Sequence, residues 1–291
     1  MNISLKKLEV VLVLPVFAAN TSFLKVINDN CLELAVAMPD VNWTVIIIND
    51  GSRVIPSQKE LFQHLCANTN YCYYHYETNK GKGYAVRLGF IKAADADIFI
   101  YTDYDFPFGT EAVIRTVNIL RWRQADIVAA DRGNHYLSYL PFPRRIITSL
   151  SRMLNAKVLK LNFTDTQAGL KGMTNRSLPV MLHTSVDGFL FDLQFMQSAE
   201  QQQLSVYALP VTCTKGIQLK NFKLSIICRE IKNLFIILFN QTNKENILST
   251  YNCTGEIRYA TEIWTNTFRS NKDQGQFASN SFHSAISRFE S

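Results

Sequence analysis

The chain has 291 residues, 47% of them hydrophobic, with 30 Lys and Arg against 24 Asp and Glu and a formal net charge of +6. That apolar fraction supports a sizeable core and excludes global disorder, and the length suits one large α/β domain, or one domain with an appendage. The basic excess is mild and contains no long Lys/Arg run, so it fits an anionic substrate or a lipid surface, not a nucleic-acid groove.

The first apolar segment lies in "MNISLKKLEVVLVLPVFAAN". Lysines, an apolar run and small residues also make a signal peptide. The immediate start of β-α units favours a buried first strand over 9–16. Further strands are expected at 43–50 ("WTVIIIND"), 71–76, 97–103 ("DIFIYTD") and 126–131 ("DIVAAD"). These runs are apolar on both faces, as in a parallel sheet covered by helices. Helices are expected between them at 22–37, 57–68, 84–94 and 110–124. Ser57 and Glu60 have the spacing of a capping box. Strand and helix in alternation predict a doubly wound sheet, with ligands beyond the carboxyl ends of its strands.

The rhythm changes after residue 140. A helix is expected over 143–159, a loop and short strand over 165–173 ("DTQAGLKGM"), a helix over 187–203 and a strand over 205–211. The stretch 223–239 reads as an amphipathic helix, lying on a bilayer surface or packed on the domain. Residues 240–291 are rich in Asn, Ser and Thr and read as a weakly structured tail. The expected organisation is a catalytic domain over 1–222, a possible membrane-surface helix over 223–240 and a polar tail over 241–291. No apolar run reaches the ~18–20 residues of a membrane helix. The six cysteines include no CxxC and no zinc spacing. A reduced cytoplasmic protein is expected, with peripheral membrane contact at most.

Polar residues gather where the expected strands end. Asn49, Asp50 and Gly51 follow the second, Asp103 and Asp105 the fourth, and Asp131 and Arg132 the fifth. Asp103-Tyr104-Asp105 offers two hard oxygen ligands for Mg²⁺ or Mn²⁺ against a diphosphate, although an isolated pair of this kind is also an ordinary polar turn. In "NKGKGYAVRLGF" (79–90), Gly81 and Gly83 precede a helix with Lys82 between them. Backbone N–H groups at such a start can face an anion, and an ordinary glycine turn has the same pattern. Arg132, Arg144, Arg145 and Lys171 are a looser basic set, suited to a phosphate or to solvated surface.

Taken in order, "LPVF", "INDGS", "NKGKGYAVRLG", "TDYD", "DRG", "DTQAGLK" and "GFLFDLQFM" span roughly residues 9–235. Together they resemble the GT-A-fold glycosyltransferases of family 2, nearest to the polyprenyl-phosphate sugar transferases: dolichyl-phosphate mannose synthase, dolichyl-phosphate β-glucosyltransferase and undecaprenyl-phosphate glucosyltransferases. "DTQAGLK" points to the glucosyl-type members. The resemblance implies a Rossmann-like, mostly parallel sheet flanked by helices. It implies that Pro15 and Phe17 flank the nucleotide base, that Asp50 accepts from the base, and that Lys82, Gly83 and Arg87 lie near the diphosphate. Asp103 and Asp105 become the metal pair. Arg132 and Arg145 hold an acceptor phosphate. Asp165, Gln167 and Lys171 line the sugar and acceptor side, and Asp192 is the acidic residue beside the sugar. The catalytic set is Asp103, Asp105, Asp192 and Arg132.

The sequence also departs from the family. Ala18-Ala19 stand where Asn-Glu is usual, Asn49 where a second acid is common, Pro107 where mannose synthases offer a third metal ligand, and Gln194 where an acid is common. The expected activity is inverting transfer of a hexose to a polyprenyl phosphate, from UDP-glucose or, alternatively, GDP-mannose. A lipid monophosphate is already an anion at neutral pH, its second pKa being ~6, and needs no base. A glycan hydroxyl acceptor would need one, and Asp192 is the candidate. A degenerate protein that binds a nucleotide sugar without turnover is the third reading.

Overall fold

In a computed structural model, residues 6–19, 22–57, 59–61, 70–93, 96–133, 165–213 and 233 are described. The strands are β1 (Leu8–Val16), β2 (Val41–Asp50), β3 (Asn70–Tyr76), β4 (Ile98–Thr102), β5 (Ile127–Asp131), β6 (Leu170–Thr174) and β7 (Val206–Pro210). The helices are α1 (Phe23–Ala37), α2 (Lys82–Lys92), α3 (Gly109–Arg121), α4 (Leu178–Leu182) and α5 (Phe191–Gln201). The strands form one sheet in the order β3-β2-β1-β4-β6-β5-β7. All neighbours pair parallel except β6, which runs antiparallel between β4 and β5.

The expected mostly parallel sheet is present, with every anticipated strand. Central strands β1, β2 and β4 are apolar on both faces because helices cover both. Val10, Leu12, Leu14, Ile98 and Ile100 pack under α1 and α3. Val11, Val13, Phe99 and Tyr101 face α2, α4 and α5. The capping box forms: the Ser57 N–H donates to Glu60 Oε2 at 2.8 Å, and the Glu60 N–H donates to Ser57 Oγ at 3.3 Å.

Some boundaries moved. α3 stops at Arg121, because Arg123 turns into the left-handed region (φ 53°). α5 starts at Phe191, because the preceding residues form a loop tied to α2. The short helix α4 was not anticipated: five residues are too few to show a helical period. The expected helix over 143–159, all of 223–239 but residue 233, the 241–291 tail, and most of 57–68 lie outside the described residues. Among the described residues no helix is long and apolar enough to cross a membrane.

The far end of the sheet is tied by Asp126, one residue before β5. Its Oδ2 accepts from the Ser205 N–H at 2.9 Å and Ser205 Oγ at 2.8 Å, and Arg176 lies at 3.3 Å from Oδ1. Partial burial pushes the carboxyl up, but the Ser205 bonds and then Arg176 outweigh it and hold Asp126 below the usual carboxylate range. A carboxylate depressed in the fold stabilises it above the unfolded-state pKa of ~3.9, and the contribution is lost as pH falls through the folded value. Asp126→Ala is expected to lower stability by about 1–3 kcal/mol at pH 7. In urea titrations the difference from wild type should shrink steadily below about pH 4. A gap independent of pH would rule out this role for the charge.

Candidate active site

The topology collects the polar residues. β1, β2, β3, β4 and β5 run parallel, so Phe17, Gly51, the 77–81 loop, Asp103 and Arg132 all leave the sheet at one edge. β6 runs the other way, and Leu170 pairs with Thr102, which brings the 165–169 loop to the same edge.

Asp103 follows β4, half-exposed, with Asp105 exposed beside it. Asp103 Oδ1 accepts from Lys82 Nζ at 2.6 Å. Lys82 is the first residue of α2, after Gly81. Burial pushes the Lys82 ammonium down, yet Asp103, then Asp192 and Asp105, outweigh it and hold it above its ordinary range. The other Asp103 oxygen rests on Gly169. A Cβ at Gly169 would collide with Oδ2 and lie 3.0 Å from Cγ. That position therefore admits only glycine if Asp103 is to keep this rotamer.

Asp50 sits at the end of β2, 3% exposed. Its carboxylate accepts from the Lys80 N–H at 2.7 Å, the Gly81 N–H at 3.0 Å and Asn79 Nδ2 at 2.8 Å. Asp50 thus fixes the glycine loop before α2, using oxygens the resemblance assigned to a nucleotide base. Gly81 holds φ 110°, and a Cβ there would strike the Asp187 carbonyl. Gly83 donates its N–H to the same carbonyl at 2.8 Å.

Arg87 is buried, and NH1 donates to Thr184 Oγ1 at 3.1 Å and the Val186 carbonyl at 2.9 Å, while NH2 pairs with Asp187. It clamps the 184–187 segment ahead of α5; its NH1 and NH2 bonds go to this chain's own atoms. Lys171 lies at 0% exposure in the middle of the sheet, opposite Tyr101 and Ala129. Its Nζ donates to the Ala168 carbonyl at 3.0 Å and pairs with Asp192 Oδ1 at 2.9 Å. The Tyr101 hydroxyl donates to that same oxygen. Burial pushes the Lys171 ammonium down, and Asp192 only partly offsets it. Lys171 is thus buried beside Asp192, with its ammonium bonded to this chain's own atoms.

Arg132 forms a bidentate pair with buried Asp165, Nε to Oδ2 at 2.8 Å and NH2 to Oδ1 at 2.6 Å. This pair ties the end of β5 to the loop before β6. Gln167, in that loop, is half-buried. Pro15 is half-buried in β1, and Phe17 is 51% exposed just beyond it. Arg144 and Arg145 lie outside the described residues.

The departures have structural consequences. Asn49 Oδ1 accepts from the Ser52 N–H at 3.0 Å, and Ser52 Oγ accepts from the Ala18 N–H at 3.1 Å. Ala18 holds φ 52°, a conformation asparagine tolerates better than alanine. Gln194 Oε1 accepts from the Ser185 and Val186 N–H groups at 2.8 and 2.9 Å, so it ties α5 to the loop before it.

Sequence reasoning missed Tyr101, Gly169 and Asp187. Tyr101 could have been found, since it stands two residues before Asp103. Asp187 and Gly169 gain their roles only from segments far away in the chain. Among the described residues no group of three or more His, Cys, Asp or Glu could hold a metal ion. The Asp103/Asp105 pair is the type of donor set that holds Mg²⁺ or Mn²⁺ together with substrate phosphates.

An α/β sheet with one antiparallel insertion and its polar cluster at the carboxyl edge is a GT-A, Rossmann-like architecture. The model of glycosyl transferase family 2 matches residues 13–179, more than half of the chain, and the chain belongs to this family of glycosyltransferases. No curated protein sequence matches it. Similar solved structures include glucosyl-3-phosphoglycerate synthase from Mycobacterium tuberculosis in complex with Mn²⁺, UDP and glucosyl-3-phosphoglycerate. That one aligns with TM-score 0.53 and 15% identity over 80% of this chain and 79% of that one. The complex with Mn²⁺, UDP-glucose and phosphoglyceric acid gives TM-score 0.52 and 13% identity over 80% and 79%. The complex with Mg²⁺ and UDP gives 0.51 and 13% over 77% and 78%. At such identities the likeness establishes the shared fold.

Proposed function

We propose that this glycosyltransferase moves a hexose, glucose from UDP-glucose, to a polyprenyl phosphate with inversion at the anomeric carbon. The observation that carries the reading is the pairing of Lys82 with Asp103, beside Asp105, at the carboxyl edge of the sheet. It puts a cation and two carboxylates where a nucleoside diphosphate is expected in this fold. Asp103 and Asp105 would hold Mg²⁺ or Mn²⁺, and such an ion, when bound, neutralises charge on the departing diphosphate. The fold relatives crystallised with UDP and these ions support that choice of donor and metal.

Lys82 is placed to stabilise the same developing charge. An acceptor phosphate oxygen attacks the anomeric carbon, the bond from that carbon to the diphosphate oxygen breaks, and the nucleoside diphosphate leaves. Arg132 and Arg145 are proposed to position the acceptor phosphate. Two observations favour a lipid phosphate over a glycan hydroxyl. Asp192 Oδ1 already accepts from both Tyr101 and Lys171, which suits a fixed polar anchor for the sugar better than a base that must take up a proton. Val54, Ile55 and Phe189 are 46–50% exposed in loops following β2 and preceding α5, and they offer apolar surface to an isoprenoid chain.

The test is transfer of radiolabel from UDP-glucose or GDP-mannose, with Mn²⁺, to polyprenyl phosphate in detergent micelles, to saccharides or to phosphoglyceric acid. Label from UDP-glucose should enter the organic phase, and chelation or Asp105→Ala should abolish it. Label appearing only in a water-soluble acceptor would overturn the lipid reading. Donor binding with no acceptor labelled would favour the binding protein that Ala18-Ala19 suggest.

A further inference from the structure

We infer that Lys82 couples nucleotide binding to metal binding: without donor its ammonium occupies the cation position on Asp103, and a diphosphate draws it away and opens that carboxylate. The inference rests on the reading of Asp103 and Asp105 as the metal pair. Three observations lead to it. Lys82 Nζ lies 2.6 Å from Asp103 Oδ1, with the two side chains 16% and 40% exposed, so the pair is in reach of incoming ions. Lys82 opens α2, where the helix dipole disfavours a cation and favours an anion; Asp103 therefore holds the ammonium there against the helix end. The Asp103/Asp105 pair is the type of donor set that holds its ion together with substrate phosphates, and a bare divalent ion must also displace an ammonium from one of the two carboxylates.

A nucleoside diphosphate changes both conditions. It supplies oxygens to the metal and gives Lys82 and the α2 N-terminus an anion to face. Each ligand then favours the other by the same factor, since binding free energies are reciprocal. Metal and nucleotide should enter together, and the metal alone should bind weakly.

The experiment measures Mn²⁺ binding to the full chain from the electron paramagnetic resonance of free Mn²⁺, alone and then with UDP or, separately, GDP. Lys82→Gln should bind Mn²⁺ alone about fivefold more tightly than wild type, the size of one partly exposed ion pair. Lys82→Arg keeps the charge and should stay near wild type. Lys80→Gln removes a charge two residues away, over the Tyr84 ring, and should change affinity less than about twofold after screening. The factor by which nucleotide tightens Mn²⁺ should be smaller in Lys82→Gln than in wild type. Equal Mn²⁺ affinity in Lys82→Gln and wild type would overturn the inference, and so would an equal gain in Lys80→Gln. If Asp103→Asn binds Mn²⁺ as wild type does, the metal pair itself is misassigned and both readings fall. If neither nucleotide alters Mn²⁺ binding in wild type, the coupling is overturned while the metal pair stands.

Discussion

Gly169→Ala is expected to reduce glycosyl transfer about a hundredfold or more, the scale of a catalytic group displaced by about 1 Å. The added methyl collides with Asp103 Oδ2, so the carboxylate must turn away from its place and from Lys82. Asp103 is tied through Oδ1 to Lys82, and Gly169 immediately precedes β6, whose first residue pairs with Thr102. Overpacking of this kind costs the fold about 1–3 kcal/mol, so the protein should remain folded in urea titration while activity collapses. The same variant should weaken Mn²⁺-dependent donor binding in calorimetry. Full activity in a folded Gly169→Ala protein would show that the Asp103 carboxylate need not stay where it is.

The second large effect is on stability. Lys171→Met should destabilise the protein by about 3–5 kcal/mol, because it removes the buried cation paired with Asp192 and leaves that carboxyl group inside the fold with its Tyr101 hydrogen bond. The surrounding face is apolar, with Phe99, Tyr101 and Phe191 packed around the pair. Adding Asp192→Leu to Lys171→Met should therefore recover most of the lost stability in a chemical denaturation series. Activity should not return, since the sugar loses the anchor proposed for it. Recovery of both would reduce the pair to a packing device; recovery of neither would mean that Lys171 supports the sheet by contacts other than Asp192. The Arg132–Asp165 pair raises a related point. A bidentate partner already satisfies much of the guanidinium, so any acceptor phosphate there would add to an existing pair.

Local order was legible because it depends on local chemistry. Apolar runs of strand length between helical patterns announced β1 to β5, and Ser57 with Glu60 announced their capping box. Asp103 and Asp105 stood out because carboxylates directly after a buried strand lose hydration unless something compensates. Asp50 was legible as a residue of the right edge, but its partners Asn79 to Gly81 lie about thirty residues on, and only the parallel β2–β3 pairing brings them together.

The amino-acid sequence by itself determined the class of fold, the positions of the strands and the identity of the polar residues at their ends, since periodicity and strand-end chemistry are properties of neighbours in the chain. The tertiary structure decided what those residues touch. β6 inserts antiparallel between β4 and β5, and that single reversal puts Gly169 under Asp103, Lys171 opposite Tyr101 and Asp165 against Arg132. No local pattern encodes it, because the direction of an inserted strand is set by how distant segments complete each other's hydrogen bonds and cover each other's apolar faces.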